Sequence, residues 1–525
     1  MDFSTDFDTT SRHFLDWFNT QPGTTFHPSL EIVDLRGRGA GRGMTAKVDI
    51  LQDTDLFTIP RSCIISKDTS ELARKLPELF DVQIDANEKD SGNNIDGQDS
   101  DELVSDLPKS WLNLILILLY ESFHQRTSKW SPYFDVLPQE PSSFDTLMFW
   151  TDEELSHLQA SAMRSKIGKD SANRMFQERI IPVVNNHADI FYPPNTAQLT
   201  DVQLLEKCHI IGSLIMSYAF DLQPDDDDED DQENEDGWME DRYKPSTMGM
   251  VPMADMLNAD AEFNAHLSHG EENLTMTSIR EIKAGEEVLN YYGPLPNGEL
   301  LRRYGYTSPK HTRYDVVEIS WDQVKTVISE TLHIPNDPTA TTAADTLNKT
   351  ISQLTETEAY ETLDLENGFL LDREAGDPDE YGLCTTEARF TAFPEELVSI
   401  ISELVTRLES GEMRKKRLTR EEDKKRFVKN RTLTVLEAIV RKRMAEYETS
   451  VDVDDGLLLR EASDGGVGRR LRMALNVRVG EKRLLREALD WTEAMLEKYK
   501  EAQQQGSAAQ VNGQPPRKKQ RKDNR

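Results

Sequence analysis

The chain has 525 residues and a net charge of −34, with 61 Lys and Arg against 95 Asp and Glu. An acidic surface attracts basic partners and repels phosphate, so a general nucleic-acid binder is excluded. The 37% hydrophobic and 30% charged content suits a globular protein with some unstructured stretches. Cys63, Cys208 and Cys384 form no CxxC pair, which argues against a disulfide framework or a cysteine-rich zinc site and fits a reducing compartment.

The N-terminus, MDFSTDFDTT, is acidic and polar, so no secretory leader is expected. Residues 11–19 predict an amphipathic helix with Phe14, Leu15 and Phe18 on one side, inside an N-terminal helical segment over 1–22. Strand-like text follows at Leu30–Leu35 and Thr45–Ile65, on either side of a glycine cluster. Residues 84–102 read as a disordered acidic insertion. Residues 103–220 are helical in pattern. Their most apolar run, Trp111–Tyr120, falls short of the roughly 20 residues a membrane span needs and predicts a buried helix. A second acidic insertion spans about 223–243, with the unbroken run Asp225–Asp231. Short apolar segments with turns return at 247–306, and a long helical region runs over 320–503. Residues 504–525 read as a disordered basic tail.

Two motifs carry chemistry. The first is Gly37-Arg-Gly-Ala-Gly-Arg-Gly43. Glycines permit positive φ and let a ligand approach the backbone. A dinucleotide fold would require a helix directly afterwards, but strand-like text follows; a P-loop would require GK[ST], which is missing. A plain glycine-rich turn remains the other reading. The second motif is the set Val251-Pro-Met-Ala-Asp-Met-Leu-Asn-Ala-Asp260, Glu281–Gly293 ending Asn-Tyr-Tyr-Gly, and Asn297-Gly-Glu-Leu-Leu-Arg-Arg-Tyr-Gly-Tyr306.

Together, and with Gly41-Arg-Gly-Met-Thr-Ala46 as the opening element, these stretches resemble the SET-domain protein lysine methyltransferases. The long helical insertion and the helical region after residue 320 are similar to the Rubisco large-subunit methyltransferase class, and within it to the fungal enzymes that methylate ribosomal proteins. The resemblance implies an α+β fold: a β-rich SET domain over 23–306, split by a helical insertion at about 103–220, then a mainly α-helical substrate-binding domain over 320–503. It implies S-adenosyl-L-methionine as cofactor and a basic protein as substrate, expected to be a ribosomal protein of the large subunit. A monomer is expected, with no membrane, direct nucleic-acid partner or metal; none of the ten histidines has ligand spacing, and His266 and His269 are expected in a solvated loop.

By the same resemblance, Tyr292 is the catalytic tyrosine, while Tyr291 packs elsewhere. Gly41, Arg42 and Gly43 meet the cofactor through their main chain, and Asn258 and Tyr304 bind it too; a core aromatic is the other reading for Tyr304. Ala259 stands where the family has histidine, so only a main-chain contact is expected there. Tyr218 is either a cofactor contact or a core aromatic. Ser110, Trp111, Phe220 and Asn264 are placed on the substrate side; for Ser110 and Trp111 the alternative is a helix cap and a buried ring. The chemistry needs a neutral amine. A free lysine has a pKa near 10.4, so holding it uncharged at pH 7 costs roughly 4–5 kcal/mol. Desolvation and a neighbouring sulfonium depress that value, so no strong base is required.

Two alternatives stay open: the same chemistry on a chromatin or transcription protein, and a catalytically weak scaffold that binds basic proteins. The tail, with Arg517, Lys518, Lys519, Arg521 and Lys522, looks like a nuclear import signal. The Lys- and Arg-rich stretch Met413–Arg431 reads as a solvated helix face.

Overall fold

The computed structural model describes residues 3–81, 109–222, 247–334, 342–357, 365, 367–464 and 468–511. The acidic insertions at 84–102 and 223–243 and the basic residues of the tail lie outside them. The chain forms two compact units. The first comprises Met1–Ser156, Met163–Thr312 and Gly376–Glu387; the second comprises His157–Ala162, Arg313–Ala375 and Ala388–Arg525.

The first unit opens with helix α1 (Phe3–Thr20), whose Phe14 and Phe18 are fully buried. Strands β1 (Thr25–Phe26), β2 (Leu30–Asp34), β3 (Arg42–Ala46) and β4 (Asp55–Pro60) follow. β2 and β3 pair antiparallel, with Asp34 opposite Arg42 and Val33 opposite Gly43. The glycine cluster makes their connection, and Gly39 takes a left-handed φ of 84° that side chains with a Cβ disfavour.

The insertion contributes two long helices joined by short helical turns: α2 (Lys109–Phe123) and α3 (Asp201–Tyr218). α2 carries the apolar run, and Leu114 through Tyr120 are buried as a core helix requires. Thr200 and Gln203 form a reciprocal capping box at the start of α3. Next come β5 (Ala219–Asp221), β6 (Met248–Met250), β7 (Ala265–His269), β8 (Asn273–Ser278) and α4 (Asn297–Tyr304). A four-stranded sheet runs in the order β1-β4-β8-β7, and β5 pairs with β6. β8 alternates inward Leu274, Met276 and Ser278 with outward neighbours, as a strand with one buried face does. His266 and His269, expected in a loop, sit on β7: its period-two alternation is only five residues long and easily missed.

The second unit is helical but not uniformly so. Strand β9 (Val317–Ile319) pairs with β10 (Phe369–Leu371) inside the region read as continuous helix. The longer helices are α5 (Trp321–Thr331), α6 (Ala343–Thr355), α7 (Glu395–Leu408), α8 (Glu421–Ala445), α9 (Val451–Asp464) and α10 (Arg469–Val511). α10 continues past residue 504, so the first residues of the expected tail are helical rather than disordered. Val435, Leu436, Ile439 and Val440 of α8 share a core with Leu484, Leu485, Ala488 and Leu489 of α10. Beside it, fully buried Asp454 receives Arg478 at 2.7 Å and Lys482 at 2.5 Å.

Candidate functional site

The site is built where β3 meets the segment after β6. Residues 251–257 carry the chain into a short turn of helix at Ala254–Met256. Met253, buried there, adopts φ 85° and ψ −45°, a backbone state unfavourable for a side chain with a Cβ. Asn258 then bridges the two halves of the unit. Its Nδ2 donates to the Arg42 carbonyl at 3.3 Å and to Glu287 Oε1 at 2.7 Å, and its carbonyl accepts from the Asn290 amide at 2.9 Å. Gly43 makes this approach possible. A Cβ there would lie 2.4 Å from Leu35 Cδ1 and 3.0 Å from both Asn258 Nδ2 and Glu287 Oε1. At Gly41 a Cβ would meet nothing within 4 Å, so packing does not demand glycine at that position.

Three tyrosines gather on the other side of Asn258. Tyr292 and Tyr304 stack with ring centroids 4.7 Å apart, and Tyr306 lies 6.3 Å from Tyr304. The Tyr292 hydroxyl donates to the Leu257 carbonyl at 3.1 Å, and the Tyr306 hydroxyl donates to the Ala259 carbonyl at 3.1 Å. Burial, reinforced by the neighbouring tyrosines and Asp255, raises Tyr292 well above the usual phenol range. Tyr218 is pushed up to about 12, chiefly by burial, with Asp255 adding to it and Arg42 opposing. These hydroxyls therefore stay protonated at neutral pH and act as donors and orienting groups, not bases. Asp255 itself is pushed up to about 7 by burial, against the opposing pull of its hydrogen bond from Tyr133. Its Oδ1 is enclosed with no hydrogen-bond partner among the described residues.

Gly41, Arg42, Gly43, Asn258, Ala259, Tyr292 and Tyr304 thus come together, with Tyr218 near enough to Tyr292 and Asp255 to couple electrostatically. Arg42 contributes its main chain only. Its guanidinium is spent on α1 and its surroundings: Nε is 3.0 Å from Ser11 Oγ, Nη2 2.8 Å from Thr10 Oγ1 and Nη1 2.9 Å from the Val136 carbonyl, over the Phe7 ring. Tyr291 stacks on Phe263 at 4.7 Å.

The residues placed on the substrate side fare differently. Asn264 is fully buried, and its amide is consumed in pinning the chain: Nδ2 donates to the Glu287 carbonyl at 2.8 Å and Oδ1 accepts from the Leu289 amide at 2.8 Å. That leaves it no group for a substrate, which corrects the expectation. Trp111, half-buried, stacks on Phe176 with ring centroids 6.2 Å apart and packs against the main core. Ser110 Oγ is enclosed without a hydrogen-bond partner among the described residues. Phe220 lies on β5 opposite Gly249 and packs against the same core. Sequence reading missed Tyr306, Glu287, Asp255 and Tyr133. The first three stand inside the quoted motifs, but only the fold shows which carbonyl or amide each meets. No group of three or more His, Cys, Asp or Glu suited to a metal occurs among the described residues.

Residues 41–293 match the SET domain family, and residues 395–485 match the family described as Rubisco LSMT substrate-binding. Residues 41–293 of the chain form a SET domain. Ribosomal lysine N-methyltransferase 4 of Saccharomyces cerevisiae is 35% identical over 332 residues, covering 62% of this chain and 61% of the relative. N-lysine methyltransferase SETD6 of Rattus norvegicus is 30% identical over 299 residues, covering 56% and 54%. The human SETD6 is 26% identical over 485 residues, covering 89% and 88%. The chain therefore spans little more than half of the length of the first two of these relatives. Among solved structures, the SET domain of LSMT bound to MeLysine and AdoHcy superposes with a TM-score of 0.56 at 18% identity, covering 93% of each chain; this is a likeness of fold.

Proposed function

We propose that this SET-domain protein is a protein-lysine N-methyltransferase that uses S-adenosyl-L-methionine and acts on a ribosomal protein. The observation that carries the reading is the bridge made by Asn258: one side chain holds the Arg42 main chain, while the carbonyls on either side of it, from Leu257 and Ala259, receive the hydroxyls of Tyr292 and Tyr306.

The residues fit the cofactor by their chemistry. An amino-acid zwitterion is held by main-chain groups and amides, which residues 41–43 and Asn258 supply. A sulfonium is accommodated by aromatic faces, which the stacked Tyr292 and Tyr304 supply. When bound, the cofactor supplies an electrophilic methyl group. The chain's own part is to hold a neutral amine in line with it. Tyr292 keeps its proton and donates it to Leu257, so its oxygen is left as an acceptor for an amine N–H. The amine's proton is lost to solvent before entry, because burial and a like charge disfavour the ammonium form. Catalysis on this account is positioning in a dry site.

The ribosomal target rests on the yeast relative. The SETD6 relatives support lysine methylation and leave the target open, with a chromatin or transcription protein as the second reading. Nuclear import through Arg517–Lys522 belongs to the same proposal, and fusing residues 504–525 to a fluorescent protein tests it: a diffuse cytoplasmic signal would remove it.

The deciding experiment incubates the protein with tritiated cofactor and, separately, purified ribosomal proteins and nuclear proteins. Label on one ribosomal protein, reduced about 100-fold or more in Tyr292→Phe, is expected. Label on nuclear proteins alone overturns the target, and no label on either set overturns the activity.

A further inference from the structure

A groove in the second unit lies between α7, the start of α8 and α10, with a cavity of about 460 Å³, the size range of ligand pockets. Its floor is apolar: Val398, Met413, Val428, Leu436 and Trp491. Its rim carries Lys424, Lys425 and Lys429 beside one acid, Glu421, and so is net basic. Lys424 pairs with Glu421 at 2.7 Å, whereas neither Lys425 nor Lys429 has a carboxylate partner among the described residues. The surrounding stretch 413–431 holds ten Lys and Arg against three acids, in a chain whose total is −34. The stretch is therefore more than a solvated face: although Lys415, Arg420, Lys424 and Arg431 are paired with acids, it edges an apolar concavity with a rim of net positive charge.

We propose that this groove docks an acidic amphipathic helix of a partner protein. Apolar side chains spaced i, i+3 or i+4, and i+7 would enter the floor, and flanking carboxylates would meet the lysines. The apolar floor favours a protein over a nucleic acid, because a phosphate backbone would neutralise the rim and leave the half-exposed Val398, Val428 and Trp491 uncovered. The partner's charge is opposite to that of a lysine-bearing substrate segment, so the inference does not rest on the methyltransferase reading. The acidic total opposes the approach of such a partner while the local patch favours it, and salt screens both; substitution separates the two where a salt titration cannot.

The test uses the full chain and two fluorescein-labelled synthetic helical peptides with the same Leu and Phe positions, one carrying glutamates elsewhere and the other lysines. Fluorescence anisotropy should show the acidic peptide binding in the micromolar range and the basic one at least 10-fold more weakly. The combined K424E, K425E and K429E variant should lose at least 10-fold in affinity for the acidic peptide. Thr406→Trp, which places a ring into the groove from an exposed position, should do the same. Circular dichroism confirms that both variants fold. Equal binding of the two peptides, or no effect of either variant, overturns the proposal. So does labelled single-stranded RNA that binds more tightly than the acidic peptide and loses affinity in the lysine variant but not in Thr406→Trp.

Discussion

Two residues of the site carry consequences that follow from their surroundings alone. Asp255 has a folded-state value of about 7 against an ordinary 3.8, because burial penalises its charge. Below about pH 4 both folded and unfolded chains hold its proton. Between there and pH 7 the folded chain keeps the proton that the unfolded chain has lost, so stability falls as pH rises through this window and the penalty is complete above it. Asp255→Asn retains an acceptor for the Tyr133 hydroxyl and removes the charge. It should be more stable than the natural chain at pH 7.5, with the advantage shrinking by pH 4.5, in urea unfolding at the two values; an advantage independent of pH would refute the assignment. Gly43→Ala acts by volume. The added carbon meets Leu35, Asn258 and Glu287, and overpacking of that kind costs about 1–3 kcal/mol. A lower melting temperature and weaker cofactor binding by calorimetry are both expected, since the strain falls on the bridge itself.

Arg42 connects residue to element. The carbonyl side of Arg42 faces Asn258, while its guanidinium holds α1 through Thr10, Ser11 and the Phe7 ring. Arg42→Ala should loosen α1 and raise the cofactor dissociation constant. Limited proteolysis cutting within residues 3–20 would report the first effect, and an uncut α1 with normal affinity would count against this account. The capping box on α3 offers a simpler case: Thr200→Ala removes the acceptor for the Gln203 amide and should cost about 1 kcal/mol in chemical unfolding. At this scale the sequence was readable where a pattern was long or chemically marked. The apolar face of α1, the core run of α2 and the glycine turn between β2 and β3 all stood out. The strand holding His266 and His269 did not, because five residues with three polar positions do not separate a strand from a loop. Strands β9 and β10, three residues each, vanished within helical text for the same reason.

Across the whole molecule, the division of the chain is less simple than one cut after residue 306. Gly376–Glu387 belongs to the first unit, where the Gly382 carbonyl accepts from the Phe263 amide at 3.0 Å; His157–Ala162 belongs to the second, where the His157 carbonyl accepts from Arg478 at 2.5 Å. The second unit also keeps a buried charge cluster of Asp454, Arg478 and Lys482. Asp454→Ala would leave two cations buried without their counter-charge, a loss of about 3–5 kcal/mol. Calorimetry should show the second unit melting earlier while the first is unchanged, and an unshifted transition would mean that the cations find other partners.

What the sequence determined by itself was chemical identity: a glycine turn flanked by strands, an asparagine and tyrosines in recognisable elements, and an acidic total that excludes broad classes of partner. These survive without coordinates because they depend on residue type and short spacing. Side-chain direction and long-range contact were decided only by the tertiary structure. Asn264 and Asn258 stand six residues apart with the same functional group, yet one amide is consumed in pinning the main chain and the other joins residues 216 positions apart. No local pattern encodes that difference, because it arises from which distant backbone each amide meets when the chain closes on itself.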